Sequence, residues 1–419
     1  MSDGERMGLR VFFRKHFGFI SGNYLVLLVT KSYPRAAYFL YYPFRQKYFL
    51  LLGGSTMTLG WMSGTRNFLN SLAQVPGGYF ADKVGRRRVL VLGHFLTGLG
   101  WIFRGLAPDW KWFFAVQMFM AVVYFYRIAD DAAIIESLPP ESRGVGLTMM
   151  NMVIGIAGLF SPVIGGIFFD MYGSWALRIF LIFSGVLDIT QGLVFGRFLK
   201  ETLVRDGSAE EEGIDLAKHF IESLRSVSAT LSWIDSPLIG LVALSAIYSF
   251  SVSASLPFLT IYALDFIGLQ GVQWGWINMA QSIAVLALRI PIGKFIDRYS
   301  NKKLIILGLI AEVLSLTALT RIRGFLPILA VILVNSVFST LTNPTVRKLR
   351  ADYTPNERRG RVGSVFSLLN SFSMFFGSII GGYIYEISPV YPFMASAFFE
   401  VIGVLIVLLM VSDAEKREK

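Results

Sequence analysis

Cysteine is absent from this 419-residue sequence, and histidine occurs only at His16, His94 and His219. The lack of cysteine excludes disulfide bonds, Cys-ligated zinc, iron–sulfur clusters and a thiol nucleophile. The three histidines are too widely separated in sequence to indicate a haem or a His-rich metal site. The sequence also lacks a G-x-x-x-x-G-K-[ST] phosphate-binding loop, which argues against ATP hydrolysis by this chain. We therefore expect neither a cofactor nor a metal.

Charged residues are also scarce. They make up 16% of the chain, against roughly 25% in a typical soluble domain. Hydrophobic residues reach 54%, phenylalanine alone contributes 36 residues, and the mean hydropathy is +0.57. A soluble protein of this composition could not cover its surface with polar side chains, so much of the chain must be solvated by lipid.

Long apolar runs divide the chain into twelve candidate spans. A helix needs about 20 apolar residues to cross a bilayer, and this length predicts an all-α polytopic membrane protein. The predicted transmembrane helices cover residues 20–44, 57–80, 88–107, 111–137, 144–169, 175–199, 237–262, 272–293, 303–320, 325–346, 361–386 and 391–411. One long polar stretch, 200–236, separates six spans from six. We interpret it as a cytoplasmic linker that tethers the two groups of spans. The alternative is an amphipathic helix on the membrane face, which the apolar residues at helical spacing over 213–224 would fit.

The basic residues are distributed unequally between the two sides of the membrane. Of the 39 Lys and Arg residues, 27 fall on the side of the N-terminus, 7 on the other side and 5 within spans. Because cytoplasmic loops are enriched in Lys and Arg, this asymmetry predicts a multi-pass protein of the cell membrane with both termini in the cytoplasm. It also accounts for most of the net charge of +11, so we expect lipid and no nucleic acid as a partner.

The two groups of six spans contain an internal repeat. Residues 60–82 match residues 275–297 at a constant offset of 215, and residues 143–144 match residues 359–360 at an offset of 216. Repeated six-helix halves of the same orientation, related by an axis along the membrane normal, are a known transporter architecture.

The loop after the second span carries the most specific motif. Residues 78–88 read GYFADKVGRRR, and this loop resembles the G-x-x-x-D-x-x-G-R-R/K motif of the major facilitator superfamily. The resemblance extends over nearly the whole chain. It implies two pseudo-symmetric six-helix bundles, residues 1–199 and 237–419, joined by the linker 200–236. It also implies secondary transport of a small solute by alternating access, in which the two bundles rock about a central site.

The same resemblance assigns roles to the motif residues. Gly78 would let helices pack closely, and Gly85 would supply backbone freedom in a tight turn. Asp82 would face the N-terminal end of the eleventh helix across the interface of the two halves, where the helix dipole favours a carboxylate. Arg86 would pair with Glu136 at the inner end of the fourth helix. In the second copy, Asp297 corresponds to Asp82.

Ionisable residues inside spans indicate a polar site, because lipid disfavours them. The candidate substrate-binding residues are Lys31, Arg35, Tyr38, Asn67, Tyr124 and Arg127. Lys31 and Arg35 are four residues apart and therefore share one face of the first helix, which predicts a cationic site for a small organic anion. In the alternative interpretation, Arg127 pairs within its own helix with Asp130 or Asp131, and Lys31 or Arg35 neutralises the remaining aspartate.

A charge inversion between the repeats predicts an inner gate. The offset of 216 places Asp131 over Arg347, so equivalent depths of helices 4 and 10 carry opposite charge. We expect Asp131 and Arg347 to approach each other when the cytoplasmic side closes, with Asp130 nearby. The alternative is that Asp131 pairs with Arg127 within its own helix, while Arg347 is one of the basic residues that are enriched on the cytoplasmic side.

Several functional alternatives remain open from the sequence. A chain rich in Phe and Met also suits export of hydrophobic compounds, as in multidrug efflux. Coupling to protons is compatible with the titratable residues in spans, although Glu312 and Glu400 lie on helices expected at the periphery. A membrane-embedded enzyme or a receptor-like protein is a remote alternative, because no nucleophile–base pair or metal site is apparent. We expect a monomer that is not an enzyme.

Overall fold

The computed structural model describes residues 18–203, 236–355 and 358–412. These residues form twelve long helices, which are named α1 to α12 in chain order, and no strand. Each helix coincides with one predicted span. The predicted amphipathic helix at 213–224 lies outside the described residues.

Six of the helices precede the linker. Their bounds are α1, Gly22–Tyr41 continued by Tyr42–Phe44 and Arg45–Leu51; α2, Thr56–Val84; α3, Arg86–Gly105; α4, Trp110–Glu136; α5, Pro140–Tyr172; and α6, Ser174–Phe198. Proline explains the break near the end of α1, because Pro43 lacks an N–H group and forces a tight turn at Tyr42–Phe44. A similar turn at Tyr124–Tyr126 interrupts α4.

Six helices follow the linker. Their bounds are α7, Ser236–Phe266; α8, Gly271–Arg298; α9, Asn301–Arg321; α10, Phe325–Tyr353; α11, Arg359–Ile387; and α12, Tyr391–Met410. A turn at Leu256–Phe258 breaks α7 near the same point at which α1 is broken. Helix α8 bends by 51° between Gly271–Arg289 and Pro291–Arg298.

Eight of the twelve described helices, α4 to α7 and α9 to α12, are individually long and apolar enough to cross a membrane. Helix α8 joins them if its two bent segments count as one span. The remaining three, α1 to α3, carry basic residues along their length, which lower their mean hydropathy. Large apolar side chains such as Leu409, Ile179 and Leu314 are exposed on the outside of the bundle, as is typical of a surface solvated by lipid.

Helix packing defines two sides of the molecule. We call the side on which α1 begins and α12 ends the terminal side, and the opposite side the distal side. Within the first half α3 packs on α6 and α1 packs on α5 and α6, while in the second half α9 packs on α10 and α12. Two helix pairs form the main contacts between the halves, α2 with α11 and α5 with α8.

Glycines bring these joining helices into backbone contact. A methyl group on Gly60 of α2 would lie 2.5 Å from the Ser378 carbonyl oxygen of α11. Likewise, a methyl group on Gly166 of α5 would meet the Gly271 carbonyl oxygen of α8. These residues belong to the distal ends of their helices. The halves are therefore in close contact on the distal side, with small residues at the contact as in other membrane helix pairs.

Candidate functional site

The motif loop joins α2 to α3 on the terminal side. Gly85 has a φ of +99°, a conformation that glycine adopts readily and other residues avoid. The guanidinium of Arg86 forms an ion pair with Glu136 of α4 and lies 3.5 Å from Asp82. The Asp82 side chain is 68% exposed, and in the described part of the chain it makes no ion pair with α11. Gly78 lies within α2.

Glu201, directly after α6, completes this loop. Its carboxylate accepts hydrogen bonds from the backbone N–H groups of Arg86, at 3.0 Å, and Arg87, at 3.2 Å. A carboxylate at the N-terminus of a helix is stabilised by the helix dipole and by the unpaired N–H groups there. Sequence reasoning missed this contact, because no local pattern links residue 201 to the start of α3.

Among the described residues, the terminal side is open between the halves. Asp297, the counterpart of Asp82, pairs with Lys348 of its own half at 3.1 Å and remains exposed. Within residues 18–203, 236–355 and 358–412, no heavy atom outside the local backbone lies within 4 Å of a methyl group placed on Gly144 of α5 or on Gly360 of α11. The N-terminal ends of these two helices are therefore not covered by the motif carboxylates in this conformation.

The distal side is closed by two carboxylates, each of which binds the N-terminus of a helix in the other half. Asp170 in the last turn of α5 accepts hydrogen bonds from the backbone N–H groups of Gly271, at 2.7 Å, and Val272, at 2.8 Å, which begin α8. Glu386 in the last turn of α11 accepts from the backbone N–H of Met57 at 3.2 Å, at the start of α2. We call these contacts the distal latches.

The distal latches obey the repeat. Residues 170 and 386 differ by 216, and residues 57 and 272 differ by 215. On its own helix each carboxylate occupies the C-terminal end, where the helix dipole disfavours negative charge, whereas the partner N-terminus favours it. The placement is thus explained by the partner half and not by the helix that carries the residue.

Further distal contacts surround the latches. The Pro43 carbonyl, at the break of α1, accepts hydrogen bonds from Thr260 Oγ1 of α7 at 3.0 Å and from Trp274 Nε1 of α8 at 3.1 Å. Lys47 pairs with Asp265 at 2.5 Å, and both side chains are partly exposed. The two halves therefore share hydrogen bonds, an ion pair and close backbone packing on this side.

Lys31, a predicted substrate-binding residue, is neutralised by Asp130 of α4. Their ion pair is buried, with the side chains 13% and 3% exposed. Arg127 makes no ion pair with Asp130 or Asp131 within the described residues; its guanidinium lies over the Tyr124 ring, 5.6 Å from the centroid. Asp130 is thus paired with Lys31 of the first helix. Arg127 makes no ion pair among the described residues.

Arg35 belongs to a cluster of arginines around two tyrosines, which we call the arginine cluster: Arg35, Arg45 and Arg66. The guanidinium of Arg35 lies 5.1 Å from the Tyr38 ring centroid, and that of Arg45 lies 4.5 Å from the Tyr42 ring centroid. All three guanidinium groups lie close enough to the Tyr38 hydroxyl to interact with it electrostatically. None of the three makes an ion pair with a carboxylate in the described ranges.

Asn67, also predicted to bind substrate, hydrogen-bonds to Arg66 of this cluster. Its Oδ1 accepts a hydrogen bond from Nη2 of Arg66 at 3.0 Å. Tyr38 packs against Trp101 of α3, with ring centroids 5.5 Å apart. Of the predicted substrate-binding residues, the structure therefore brings Arg35, Tyr38 and Asn67 to one cluster and leaves Lys31, Tyr124 and Arg127 outside it.

A cavity of about 800 Å³ lies within the second half. Its polar lining includes Tyr248 of α7, Glu312 of α9, Arg347 of α10, Asn370 of α11 and Glu400 of α12. Apolar residues such as Leu256, Val331 and Met374 complete the wall. Glu312 and Glu400, expected at the periphery, therefore line this cavity, because each side chain hydrogen-bonds to a residue of α7.

The predicted gate residues are separate in this conformation. Asp131 and Arg347 are both exposed, and no ion pair joins them within the described part of the chain. Arg347 lines the cavity, whereas Asp131 lies on α4 next to the buried Lys31–Asp130 pair. Their approach on closure of the terminal side stays a prediction.

Known proteins resemble the chain over nearly its full length. A family model for the Major Facilitator Superfamily matches residues 33–273 and 241–419. An uncharacterised MFS-type transporter of Methanocaldococcus jannaschii is 23% identical over 399 residues, covering 93% of this chain and 98% of that protein. Multidrug resistance protein 2 of Bacillus subtilis is 20% identical over 354 residues, covering 84% and 85%. The crystal structure of the nucleoside transporter NupG matches with a TM-score of 0.69 at 13% identity, covering 93% and 99%.

Proposed function

The chain belongs to the major facilitator superfamily of membrane transporters, and on that premise we propose that it moves a small organic solute by alternating access. The moving bodies are residues 1–199 and 237–419, and the linker 200–236 joins them. In the conformation described, the distal side is closed and the terminal side is open. Transport requires the reverse conformation as well, in which the distal latches separate and Asp82 meets the N-terminus of α11.

The observation that carries this proposal is a membrane-embedded cavity combined, among the described residues, with contacts between the halves that are concentrated on the distal side. The 800 Å³ cavity is large enough for a small organic molecule. The distal contacts consist of hydrogen bonds and van der Waals packing without a covalent link, so they can form and break during a cycle. One copy of the chain supplies both halves of the interface, and we therefore propose that the transporter acts as a monomer.

We propose a small organic anion as the substrate. The arginine cluster places three positive charges near Tyr38 with no carboxylate partner in the described residues. Guanidinium groups recognise carboxylate and phosphate groups through paired hydrogen bonds. Arg35 is exposed and is the member that an entering anion would contact first. Lys31 is not part of this site, because Asp130 neutralises it.

Export of hydrophobic compounds is the second candidate. Two relatives, the Bacillus subtilis protein and MdtG of Enterobacter lignolyticus, carry multidrug resistance in their names. In this chain, Leu256, Val331, Ile332, Met374 and Phe393 give the cavity an apolar wall. A neutral or cationic hydrophobic substrate would use this wall and would not depend on the arginine cluster.

Membrane orientation is part of the proposal. Because most basic residues lie on the terminal side, we propose that this side faces the cytoplasm of a cell membrane. The sequence contains no cysteine, so single cysteines can be introduced without background. Asp109→Cys should react with an impermeant thiol reagent from outside intact cells, and Ser208→Cys only after permeabilisation. The reverse pattern contradicts the orientation.

Substrate counterflow in proteoliposomes tests the function directly. The purified protein is reconstituted with labelled organic anions, zwitterions and hydrophobic cations in turn. We expect counterflow of at least one anion, and Arg35→Ala should raise its apparent KM about tenfold or more, since a hydrogen bond to a charged group contributes roughly 1.5–3 kcal/mol. Lys111→Ala, which removes an exposed distal cation, is the matched control and should leave the KM unchanged. Counterflow of hydrophobic cations alone, insensitive to Arg35→Ala, favours the second candidate.

A further inference from the structure

Two carboxyl groups line the cavity of the second half. Glu312 of α9 and Glu400 of α12 are each only 3% exposed. They are close enough to interact electrostatically. Carrying two negative charges at this depth is costly, because lipid and apolar side chains cannot replace the water that solvates a carboxylate.

The hydrogen bonds of the two groups differ. Both oxygens of Glu312 accept a hydrogen bond, Oε2 from the Tyr248 hydroxyl at 3.0 Å and Oε1 from Thr342 Oγ1 at 3.1 Å. One oxygen of Glu400, Oε1, accepts from Ser251 Oγ at 2.9 Å, while its buried Oε2 has no partner. The hydrogen bonds therefore favour a negative charge at Glu312 more than at Glu400, and Glu400 has one oxygen available for a proton.

Basic side chains do not neutralise the pair. No Lys, Arg or His makes an ion pair with Glu312 or Glu400 within the described residues. The other charged or titratable groups that line the cavity are Tyr248 of α7 and, on α10, Arg347 and Arg350. From α8 and α11 the cavity receives only uncharged side chains: Gln281, Phe366, Asn370 and Met374.

We propose that Glu312 and Glu400 form a proton-binding site that holds one exchangeable proton and couples its movement to the solute. This inference rests on the proposed transport function. A proton on Glu400 leaves a single negative charge on the pair, which Tyr248 and Thr342 stabilise at Glu312. Because the cavity contacts the terminal side in this conformation, the proton can exchange there. When the terminal side closes and the distal side opens, the proton on the pair can be released to the distal side.

Helix connections link the site to the moving parts. Tyr248 and Ser251 lie on α7, and the hydroxyl of Tyr248 also lies 3.5 Å from Asn343 Nδ2 of α10. Ser251 Oγ lies 3.1 Å from the Ser396 carbonyl oxygen of α12 and 2.9 Å from Glu400, so its single proton is shared between these two acceptors. A change of charge on the pair therefore alters hydrogen bonds to three helices at once. Helices α7 and α11 pack on each other, and α11 carries the distal latch residue Glu386.

Infrared difference spectroscopy tests the site without a known solute. The pH of a suspension of full-length protein in liposomes is lowered stepwise, and the C=O stretching band of a protonated carboxyl group is recorded. We expect this band to persist at neutral pH in the wild type and to vanish in Glu400→Gln, which lacks the protonated group. In Glu312→Gln the band should shift, because Glu400 loses its charged neighbour. Glu141→Gln, which removes an exposed carboxylate on the terminal side, is the matched control and should leave the band intact.

Several outcomes would overturn the site. A wild-type spectrum without the band at neutral pH contradicts it, and so does a band that survives in both Gln variants. Loss of the band on addition of sodium at constant pH would show that a metal cation occupies the pair instead. If the Gln variants fail to fold, Tyr248→Phe retains both carboxyl groups and should shift the position of the band; an unshifted band counts against the site.

Transport measurements separate this proposal from the proposed function. For an anion that shows counterflow, Glu400→Gln should retain counterflow but lose accumulation driven by a pH gradient, because exchange needs no net proton movement. Wild-type protein without counterflow would contradict the transport function. Wild-type accumulation by Glu400→Gln would contradict the proton site alone.

Discussion

Asp170→Asn offers the sharpest test of how the distal side closes. In the closed conformation both carboxylate oxygens of Asp170 bind the first N–H groups of α8, at 2.7 and 2.8 Å. Asparagine is nearly the same size but has one acceptor oxygen and no charge. The variant therefore loses one hydrogen bond and the attraction of the helix dipole, while the packing of α5 on α8 is preserved.

The free-energy change expected for Asp170→Asn depends on how exposed the latch is. A hydrogen bond to a charged group contributes about 1.5–3 kcal/mol when buried, and the dipole adds about 0.3–1 kcal/mol. Asp170 is itself exposed at the membrane surface, so we take about 1.4 kcal/mol, which is a tenfold change in the ratio of closed to open molecules. Glu386 accepts through Oε1 alone, so Glu386→Gln retains an acceptor oxygen and loses only the attraction of the helix dipole, about 0.3–1 kcal/mol. The two sites bias one equilibrium, so the double variant should change the ratio more than either single variant does.

The ratio of closed to open molecules can be measured by electron paramagnetic resonance, from the distance between two spin labels. Lys111→Cys and Ile387→Cys place labels on exposed distal positions of the two halves in a chain that otherwise lacks cysteine. In lipid nanodiscs the unmodified latches should give mainly the short distance of the closed state. Asp170→Asn should increase the long-distance population more than Glu386→Gln does, and their combination should increase it most.

A neighbouring ion pair provides the control. Asp265→Asn removes the partner of Lys47 on the same side, but this pair is partly exposed and such pairs contribute about 0–1 kcal/mol. Its effect should be clearly smaller than that of Asp170→Asn. Equal distance distributions in the wild type and the double latch variant would refute the reasoning, as would a larger effect of Asp265→Asn.

The remaining predictions concern the terminal side and the buried pair. Asp82→Asn should slow counterflow and increase the short-distance population in the same spin-label assay, the opposite sign to the latch variants; a wild-type rate would remove the role of Asp82. Lys31→Ala should lower stability by about 3–5 kcal/mol, because Asp130 is left charged and buried, and thermal unfolding should show partial recovery in Lys31→Met with Asp130→Asn. Asp131→Cys with Arg347→Cys should cross-link and block transport reversibly only when the terminal side closes; no cross-link in any conformation would exclude this gate.

The sequence predicted the number and order of helices well, because span length and hydropathy depend on the local chain alone. The motif loop was also informative: Arg86 lies against Glu136, at the position that the family resemblance implies. Helix ends were less accurate. Helix α2 extends to Val84 and α10 to Tyr353, beyond the predicted ends at 80 and 346, since these helices continue past the apolar run into the polar interface.

Side-chain partners between helices were largely out of reach. Periodicity reveals the buried face of a soluble helix, but a membrane helix is apolar on its lipid face as well, so its rotation is not encoded in hydropathy. For this reason the pairing of Lys31 with Asp130 remained one of two interpretations, and Glu312 and Glu400 were expected at the periphery. The distal latches left a usable signal, because Asp170 and Glu386 are related by the repeat offset that the motifs had already defined.

The duplicated latch has a consequence for how such a chain can arise. The contact of α5 with α8 and that of α11 with α2 are the same contact made twice about a two-fold axis, which is the geometry of an isologous homodimer. A six-helix ancestor therefore needed only one acidic residue and one free helix end to hold two copies together. Fusion of the gene with itself would preserve both contacts immediately. Afterwards the two copies could diverge, one half keeping its arginines and the other its buried carboxylates. The distal latches between the halves would be retained.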